Sequence, residues 1–135
     1  MVSSSISYKP LLNSLNLSHN RLETLDKKIF WSTPNLETLD LSYNLLSGGL
    51  DAITNTCSRL YFLQLSSNNF ETADTFKALK NLKSLKYLEL GDNPFLQKKV
   101  DLDSLINIVG CKNIRLCKFY LTRYRRHRWS RWEYS

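Results

Sequence analysis

The chain lacks the features that mark membrane-spanning and secreted proteins. Its 135 residues contain no run of about 18 apolar side chains, so we expect no transmembrane helix. Residues 1–10 are rich in serine and have no apolar stretch behind a basic start, unlike a secretory signal peptide. These two absences favour an intracellular protein.

Residue patterns that support catalysis or metal binding are also missing. The two histidines, His19 and His127, have no nucleophile or carboxylate partner in a shared motif, and there is no glycine-rich phosphate loop. The three cysteines, Cys57, Cys111 and Cys117, are odd in number, and their spacing fits no zinc site. We therefore expect a protein that is not an enzyme and that holds no cofactor and no metal.

Leucine, in contrast, recurs with a nearly fixed period. Residues 36–46 read Leu-Glu-Thr-Leu-Asp-Leu-Ser-Tyr-Asn-Leu-Leu, which fits L-x-x-L-x-L-x-x-N-x-L. The same pattern begins at residues 12, 60 and 85, so the steps are 24, 24 and 25 residues. This is the pattern of a leucine-rich repeat, and four copies exceed the usual minimum of about three for a stable stack.

The repeat predicts an α/β fold, a leucine-rich repeat solenoid with a short curved parallel sheet and an irregular or short-helical convex side. Each L-x-L segment is expected to form a strand, because its two leucines point to the same buried face. The predicted strands are centred near residues 15, 39, 63, 88 and 115. The asparagines of the pattern are expected to form a structural ladder that pairs turn backbone groups: Asn20, Asn44, Asn68 and Asn93.

The segments between the strands carry helical patterns. Asp51 is predicted to cap a short helix on which Ile53 and Cys57 face the core. In residues 75–81 and directly after them, the spacing of Phe76, Leu79 and Leu82 places these three side chains on one face. Residues 101–109 read as an amphipathic helix, and Ile114 and Leu116 read as a last, degenerate strand that closes the solenoid.

The predicted organisation has three parts. Residues 1–11 form an irregular N-terminal segment, residues 12–117 form the repeat domain with its C-terminal cap, and residues 118–135 form a basic aromatic tail. The tail has six basic residues and one acidic residue, a net charge of +5, whereas residues 1–117 have 13 basic and 11 acidic residues, a net charge of +2. No capping helix precedes the first repeat, so its open end is a candidate for pairing with a partner or a second chain.

Several segments resemble the repeat domain of the acidic leucine-rich nuclear phosphoproteins. The similarity runs without gaps over residues 39–90, and its most specific part is Ser47-Gly48-Gly49-Leu50 followed by Cys57. Residues 90–116 also look like the C-terminal cap that this family shares with the splicing protein U2 A-prime. The resemblance implies a non-enzymatic adaptor, often nuclear, that binds histones, phosphatases or other proteins. The family's N-terminal capping helix and long acidic tail are absent, so functions of that tail are not carried over.

Location is predicted to be nuclear or cytoplasmic, with secretion as the alternative. Extracellular leucine-rich repeat proteins usually have disulfide-bonded caps, and no paired cysteines precede the first repeat. The sequon Asn16-Leu17-Ser18 and the receptor-like first repeat, with Phe30 and Pro34, keep an extracellular recognition module open.

The main functional prediction is protein binding on the concave face, where strand residues alternate with the buried leucines. Phe62 and Tyr87 are large aromatic residues at equivalent positions of neighbouring strands, flanked by Asp40 and Glu89. Buried aromatic anchors often dominate the binding energy of interfaces. The predicted concave site comprises Thr38, Asp40, Tyr43, Phe62, Gln64, Tyr87, Glu89 and Arg115.

The alternative prediction is polyanion binding through the basic aromatic tail, with RNA or an acidic protein as partner. Arginine pairs with phosphate and aromatic rings stack on bases. The predicted polyanion-binding residues are Arg123, Arg125, Arg126, Arg128, Arg131, Trp129 and Trp132.

Overall fold

The repeats form a stack of short parallel strands. A computed structural model describes residues 8–97 and 102–110, together with the backbone of residues 118–125 and 128–134. The first four strands are β1 (Ser14–Asn16), β2 (Thr38–Asp40), β3 (Phe62–Gln64) and β4 (Tyr87–Glu89). They pair in chain order, and every pair is parallel. The predicted solenoid is confirmed, with strands centred at residues 15, 39, 63 and 88.

Two further strands extend this sheet. Strand β5 (Lys118–Arg125) pairs in parallel with β4, and β6 (Arg128–Tyr134) pairs antiparallel with β5. The predicted strand around Ile114 and Leu116 lies outside the described residues, and the strand beside β4 begins at Lys118. The backbone of the predicted tail therefore continues the sheet, while the division of the chain into three parts stays a prediction.

The leucine core follows directly from the strand register. Leu15, Leu39, Leu63 and Leu88 are in register across β1 to β4. The latter three are buried, whereas Leu15 is half-buried, because among the described strands β1 has a neighbour on one side only. Each repeat thus buries its leucines against the next repeat, as expected for a solenoid.

Short helices return the chain across the convex side. They are α1 (Asp51–Thr54), a 3-10 helix over Ala73–Asn81, a second 3-10 helix over Pro94–Gln97, and α2 (Leu102–Val109). Ile53, Cys57, Phe76, Leu79 and Leu82 are buried, as the helical spacings predict.

The predicted cap at Asp51 is wrong. Helix α1 begins at Asp51 itself, Leu50 occupies the capping position, and no side chain caps the helix. The N–H groups of Ala52 and Ile53 donate instead to the carbonyl oxygens of Gly49 and Leu50, at 3.2 and 3.0 Å. Gly49 has a φ of +78°, a conformation that glycine adopts without steric cost, so the turn supplies these acceptors.

Three phenylalanines join the third and fourth repeats behind the sheet. The ring of Phe76, from the first 3-10 helix, lies 5.2 Å from the ring of Phe70 and 5.2 Å from that of Phe95, measured between centroids. All three side chains are buried. This cluster fills the space between the convex helix and the turns that follow β3 and β4.

The four asparagines form the predicted ladder. Asn44 shows the full set of bonds: its Oδ1 accepts from the N–H groups of Asn20 and Leu22, at 3.0 and 2.9 Å, and its Nδ2 donates to the carbonyls of Leu17 and Leu41, both at 3.0 Å. Asn93 repeats this arrangement two turns further along, and Asn68, one turn along, keeps both bonds from Nδ2 while its Oδ1 accepts from the Leu46 N–H alone. The asparagines therefore satisfy backbone groups of the turns rather than forming a ligand site.

The N-terminal end of the stack leaves apolar side chains exposed. Leu11 is 92% exposed, and Tyr8 and Trp31 are exposed nearby in the first turn of the solenoid. Residues 9 and 10 are nevertheless attached to the first repeat, since the Lys9 N–H donates to the Ser32 carbonyl and Asn35 Nδ2 donates to the Pro10 carbonyl.

Candidate protein-binding surface

The concave face carries two parallel rows of side chains, set by the strand register. We call Thr38, Phe62 and Tyr87 the aromatic row, because they are Cα partners across β2, β3 and β4. We call Asp40, Gln64 and Glu89 the polar row, which lies two residues further along the same strands. All six side chains are half-buried, so each retains surface that a partner can cover.

The aromatic row contains the pair that the sequence predicted. The rings of Phe62 and Tyr87 have centroids 6.0 Å apart and an interplanar angle of 39°. Tyr61 packs edge-on against Tyr87 at 6.3 Å and 70°, and it is 37% exposed. These distances are typical of favourable aromatic pairs. The patch therefore consists of three rings rather than two.

Sequence reasoning missed Tyr61, because strict alternation would turn the residue before Phe62 toward the core. Tyr61 precedes β3, and its backbone forms hydrogen bonds with residues at the start of the two neighbouring strands. Its N–H donates to the Glu37 carbonyl, and its carbonyl accepts from the N–H groups of Lys86 and Tyr87, each at 2.9 Å. The equivalent positions in neighbouring repeats hold Glu37 and Lys86, which are polar, and that periodic comparison could have identified Tyr61 as a surface residue.

The polar row is held by hydrogen bonds within the protein. Gln64 Nε2 donates to Glu89 Oε2 at 2.7 Å. Asp40 Oδ1 accepts from both the N–H and the hydroxyl of Ser42, at 2.9 and 2.6 Å. Both carboxylates therefore have fixed orientations before any partner binds.

Thr38 and Tyr43 take different positions. Thr38 Oγ1 donates to Ser14 Oγ at 2.7 Å, which continues the aromatic row toward β1 as a small polar surface. Tyr43 lies in the left-handed turn after β2, with a φ of +55°, rather than on a strand. Its ring stacks on His19 at 4.4 Å and 9° and is 56% exposed. The structure thus places Tyr43 apart from the two rows, at the edge where the strands end.

The remaining predicted site residues are described less fully. Arg115 and Arg126 lie outside the described residues. Arg123 and Arg125 belong to β5, and their partners in the register are Ser130 and Arg128. The other predicted polyanion-binding residues lie in β6: Trp129, Arg131 and Trp132. The register pairs Trp129 with Tyr124 and Trp132 with Leu121, so each tryptophan position of β6 lies opposite an apolar or aromatic position of β5.

The described residues offer little for nucleophilic or metal chemistry. They contain no group of three or more His, Cys, Asp or Glu side chains that could hold a metal ion. Burial raises the pKa of the Cys57 thiol to about 12, so its thiolate form is scarcely populated at neutral pH and Cys57 acts as a small core residue. Cys111 and Cys117 lie outside the described residues. No helix within the described part of the chain is long and apolar enough to span a bilayer.

Comparisons with known proteins agree with the repeat fold. The family model described as "Leucine rich repeat" matches residues 10–70. Acidic leucine-rich nuclear phosphoprotein 32 family member A of Drosophila pseudoobscura pseudoobscura is 42% identical over 86 residues, which is 64% of this chain and 32% of the relative. Receptor-like protein 1 of Arabidopsis thaliana is 34% identical over 91 residues, 64% of this chain and 8% of the relative. The crystal structure of the leucine-rich repeat domain of APL1B superposes with a TM-score of 0.54 at 34% identity, covering 62% of this chain and 24% of that one.

The fold defines the class of architecture, a leucine-rich repeat solenoid, and these similarities agree with it. More particularly, its repeats resemble those of the acidic leucine-rich nuclear phosphoproteins. The chain spans about a third of the length of the nuclear phosphoprotein it matches, 32%.

Proposed function

We propose that this protein is a non-enzymatic adaptor that binds other proteins on the concave face, with Phe62 and Tyr87 as anchors. The observation that carries the proposal is the close contact of these two rings, 6.0 Å between centroids, on a surface of strands β1 to β4 that is otherwise polar. Aromatic anchors surrounded by polar groups are the usual composition of binding hot spots. The Tyr61 ring enlarges the apolar area that a partner would cover.

Replacing both anchors tests this function. We expect Phe62→Ser combined with Tyr87→Ser to weaken partner binding by at least about tenfold, since each anchor of a hot spot is worth more than about 1 kcal/mol. Quantitative pull-downs from nuclear and cytosolic extracts should compare three immobilised proteins: the wild type, this double variant, and a Tyr8→Ser, Trp31→Ser control. The control removes two exposed aromatic residues away from the concave face. Recovery of the same proteins in the same amounts by all three would contradict the proposal.

Location inside the cell, in the nucleus or cytoplasm, is part of the proposal. The similarity to nuclear phosphoproteins supports it, whereas the similarity to a receptor-like protein supports an extracellular module. Fluorescence microscopy of the full chain in intact cells distinguishes the two.

A second candidate function is polyanion binding through the basic segment, residues 118–135. Its net charge is +5 against +2 for residues 1–117, and aromatic residues alternate with its arginines. Backbone pairing of β5 with β4 attaches this segment to the sheet, so it can present its charges from a defined place.

Salt dependence provides the measurement. Five neutralised phosphates would give a slope of log affinity against log salt of about −4.5 for duplex DNA and about −3.5 for a single strand. We expect replacement of Arg123, Arg125, Arg126, Arg128 and Arg131 by glutamine to reduce both affinity and slope in fluorescence-anisotropy titrations with labelled RNA.

The matched control changes a similar amount of charge elsewhere. Glutamine in place of Lys77, Lys80, Lys83 and Lys86 removes four exposed charges from the repeat domain and should leave the slope nearly unchanged. A full-length protein that ignores RNA and DNA at low salt, or an arginine variant that binds like the wild type, would exclude the second function.

A further inference from the structure

The two rows on the concave face have a fixed spacing along the strands. Phe62 and Gln64 are two residues apart on β3, and Tyr87 and Glu89 are two residues apart on β4. Residues at i and i+2 of a strand point to the same face and are separated by about 6.6 Å. An extended peptide has the same repeat on each of its own faces, so a segment lying along β3 and β4 can place consecutive same-side residues over the two rows.

We infer that the concave face accepts an extended segment of a partner protein carrying an apolar side chain and an arginine or lysine two residues apart. The apolar side chain covers the aromatic row, and the basic side chain reaches the polar row. This inference rests on the proposed function and names the chemistry of its partner.

The aromatic row specifies the apolar residue. Phe62 and Tyr87 are half-buried, and the edge-on Tyr61 ring borders them, so the three rings together offer accessible apolar surface. Such a surface suits a branched aliphatic or aromatic side chain and gains from area removed from water. The stem of a neighbouring arginine can also lie on these rings, because guanidinium groups stack on aromatic faces.

The polar row specifies the basic residue. Asp40 and Glu89 lie on β2 and β4, on either side of Gln64, and within the described residues neither forms an ion pair with a lysine or arginine. The bonds from Ser42 and Gln64 each occupy one oxygen of these carboxylates, and a carboxylate can accept about four hydrogen bonds. The polar row therefore presents two oriented negative charges with acceptor capacity left, which complements a cationic side chain and disfavours an acidic one.

The test uses defined peptides of matched composition. The first probe is a fluorescein-labelled nine-residue peptide, Gly-Ser-Thr-Leu-Thr-Arg-Thr-Ser-Gly, in which leucine and arginine share one face when the peptide is extended. The second places leucine and arginine side by side, with the same residues overall, so that they point to opposite faces. The third replaces arginine by glutamine.

We expect the first probe to bind the full chain up to about fivefold more tightly than either of the others, since about fivefold is the upper end of the range for exposed ion pairs. In the Asp40→Asn, Glu89→Gln variant, the first and third probes should bind equally. A Glu23→Gln, Glu71→Gln control makes the same charge change at exposed positions in the turns that follow Asn20 and Asn68, and it should keep the preference.

The outcomes separate this inference from the function on which it rests. If all three probes bind equally and the Phe62→Ser, Tyr87→Ser variant binds none of them, the concave face binds peptides but the predicted partner chemistry is wrong. If the anchor variant binds the first probe as tightly as the wild type does, both proposals fail. Loss of the preference in the Glu23, Glu71 control as well would also overturn the inference, because the arginine would then respond to net charge alone.

Discussion

Alanine in place of Phe76 is expected to lower the free energy of unfolding by about 3–5 kcal/mol, the usual cost of removing a buried phenylalanine. Phe76 is fully buried, and its ring contacts both Phe70 and Phe95 at 5.2 Å between centroids. The neighbouring rings come from turns fixed by strand pairing and by the asparagine ladder, so they cannot collapse into the space left behind. A residual cavity therefore adds to the loss of apolar burial.

Urea denaturation followed by far-ultraviolet circular dichroism measures this effect. Phe62→Ala is the matched control, because it makes the same chemical change at a half-buried position on the concave face. It should cost about 1 kcal/mol, the centre of the distribution for single substitutions. Equal denaturation midpoints for the two variants would mean that the three-ring cluster contributes no more than a surface contact.

The strand register explains how much of the fold could be predicted. A period of 24 or 25 residues, with L-x-L and asparagine at fixed positions, determines where each strand lies and which face it buries. The inward faces of Phe76, Leu79 and Leu82 followed from their spacing. The spacing did not show that Phe76 would contact Phe70 and Phe95, since that contact depends on how closely successive turns approach in space.

The basic segment shows what charge and composition alone do not predict. Its abrupt change in composition suggested a separate tail, and its arginines obscured a strand pattern. Phe119, Tyr120 and Tyr124 belong to a class of residues that is enriched in strands, so β-propensity could have identified β5. Net charge indicates which kinds of partner a segment attracts, and it does not determine the secondary structure of that segment.

The sequence could predict which strand positions share the concave face, but it could not predict the hydrogen bonds among their side chains. Alternation placed Phe62, Gln64, Tyr87 and Glu89 on one face, and the register brings them together as expected. The bond between Gln64 and Glu89 depends on rotamers, and so does the turn in which Ser42 holds Asp40. Neither can be read from a repeat pattern, yet they orient the two carboxylates on which the proposed partner chemistry rests.

The residues of each repeat fall into two groups, one constrained by folding and one free to vary. Leucines and asparagines recur in every repeat because each turn must bury the same apolar area and pair the same backbone groups. The exposed strand positions vary from serine and threonine to phenylalanine and glutamate, because solvent tolerates all of them. Binding specificity can therefore change from one such protein to another without any change in the stack.

Substitution of the ladder asparagines by alanine should give a graded series, with Asn93 the most costly. Asn93 Oδ1 accepts from the buried N–H groups of Asn68 and Phe70, at 3.1 and 3.3 Å, and its Nδ2 donates to the Leu90 carbonyl at 2.9 Å. Each buried polar group left unpaired costs about 1–3 kcal/mol. Loss of the two N–H partners alone predicts a decrease in unfolding free energy of about 2–6 kcal/mol.

The other two substitutions test whether the loss of stability follows the number of buried groups left unpaired. Asn68→Ala leaves one buried N–H group, that of Leu46, without its acceptor, because the carbonyls bonded to Asn68 keep other donors. It should cost about 1–3 kcal/mol. Asn20 is exposed and donates to the carbonyls of Leu17 and Ser18, so Asn20→Ala should cost least. Thermal and urea denaturation of the three variants measures these costs. Equal losses of unfolding free energy in all three would contradict the ladder, because the asparagines would then act through local turn propensity and not through the buried groups they pair.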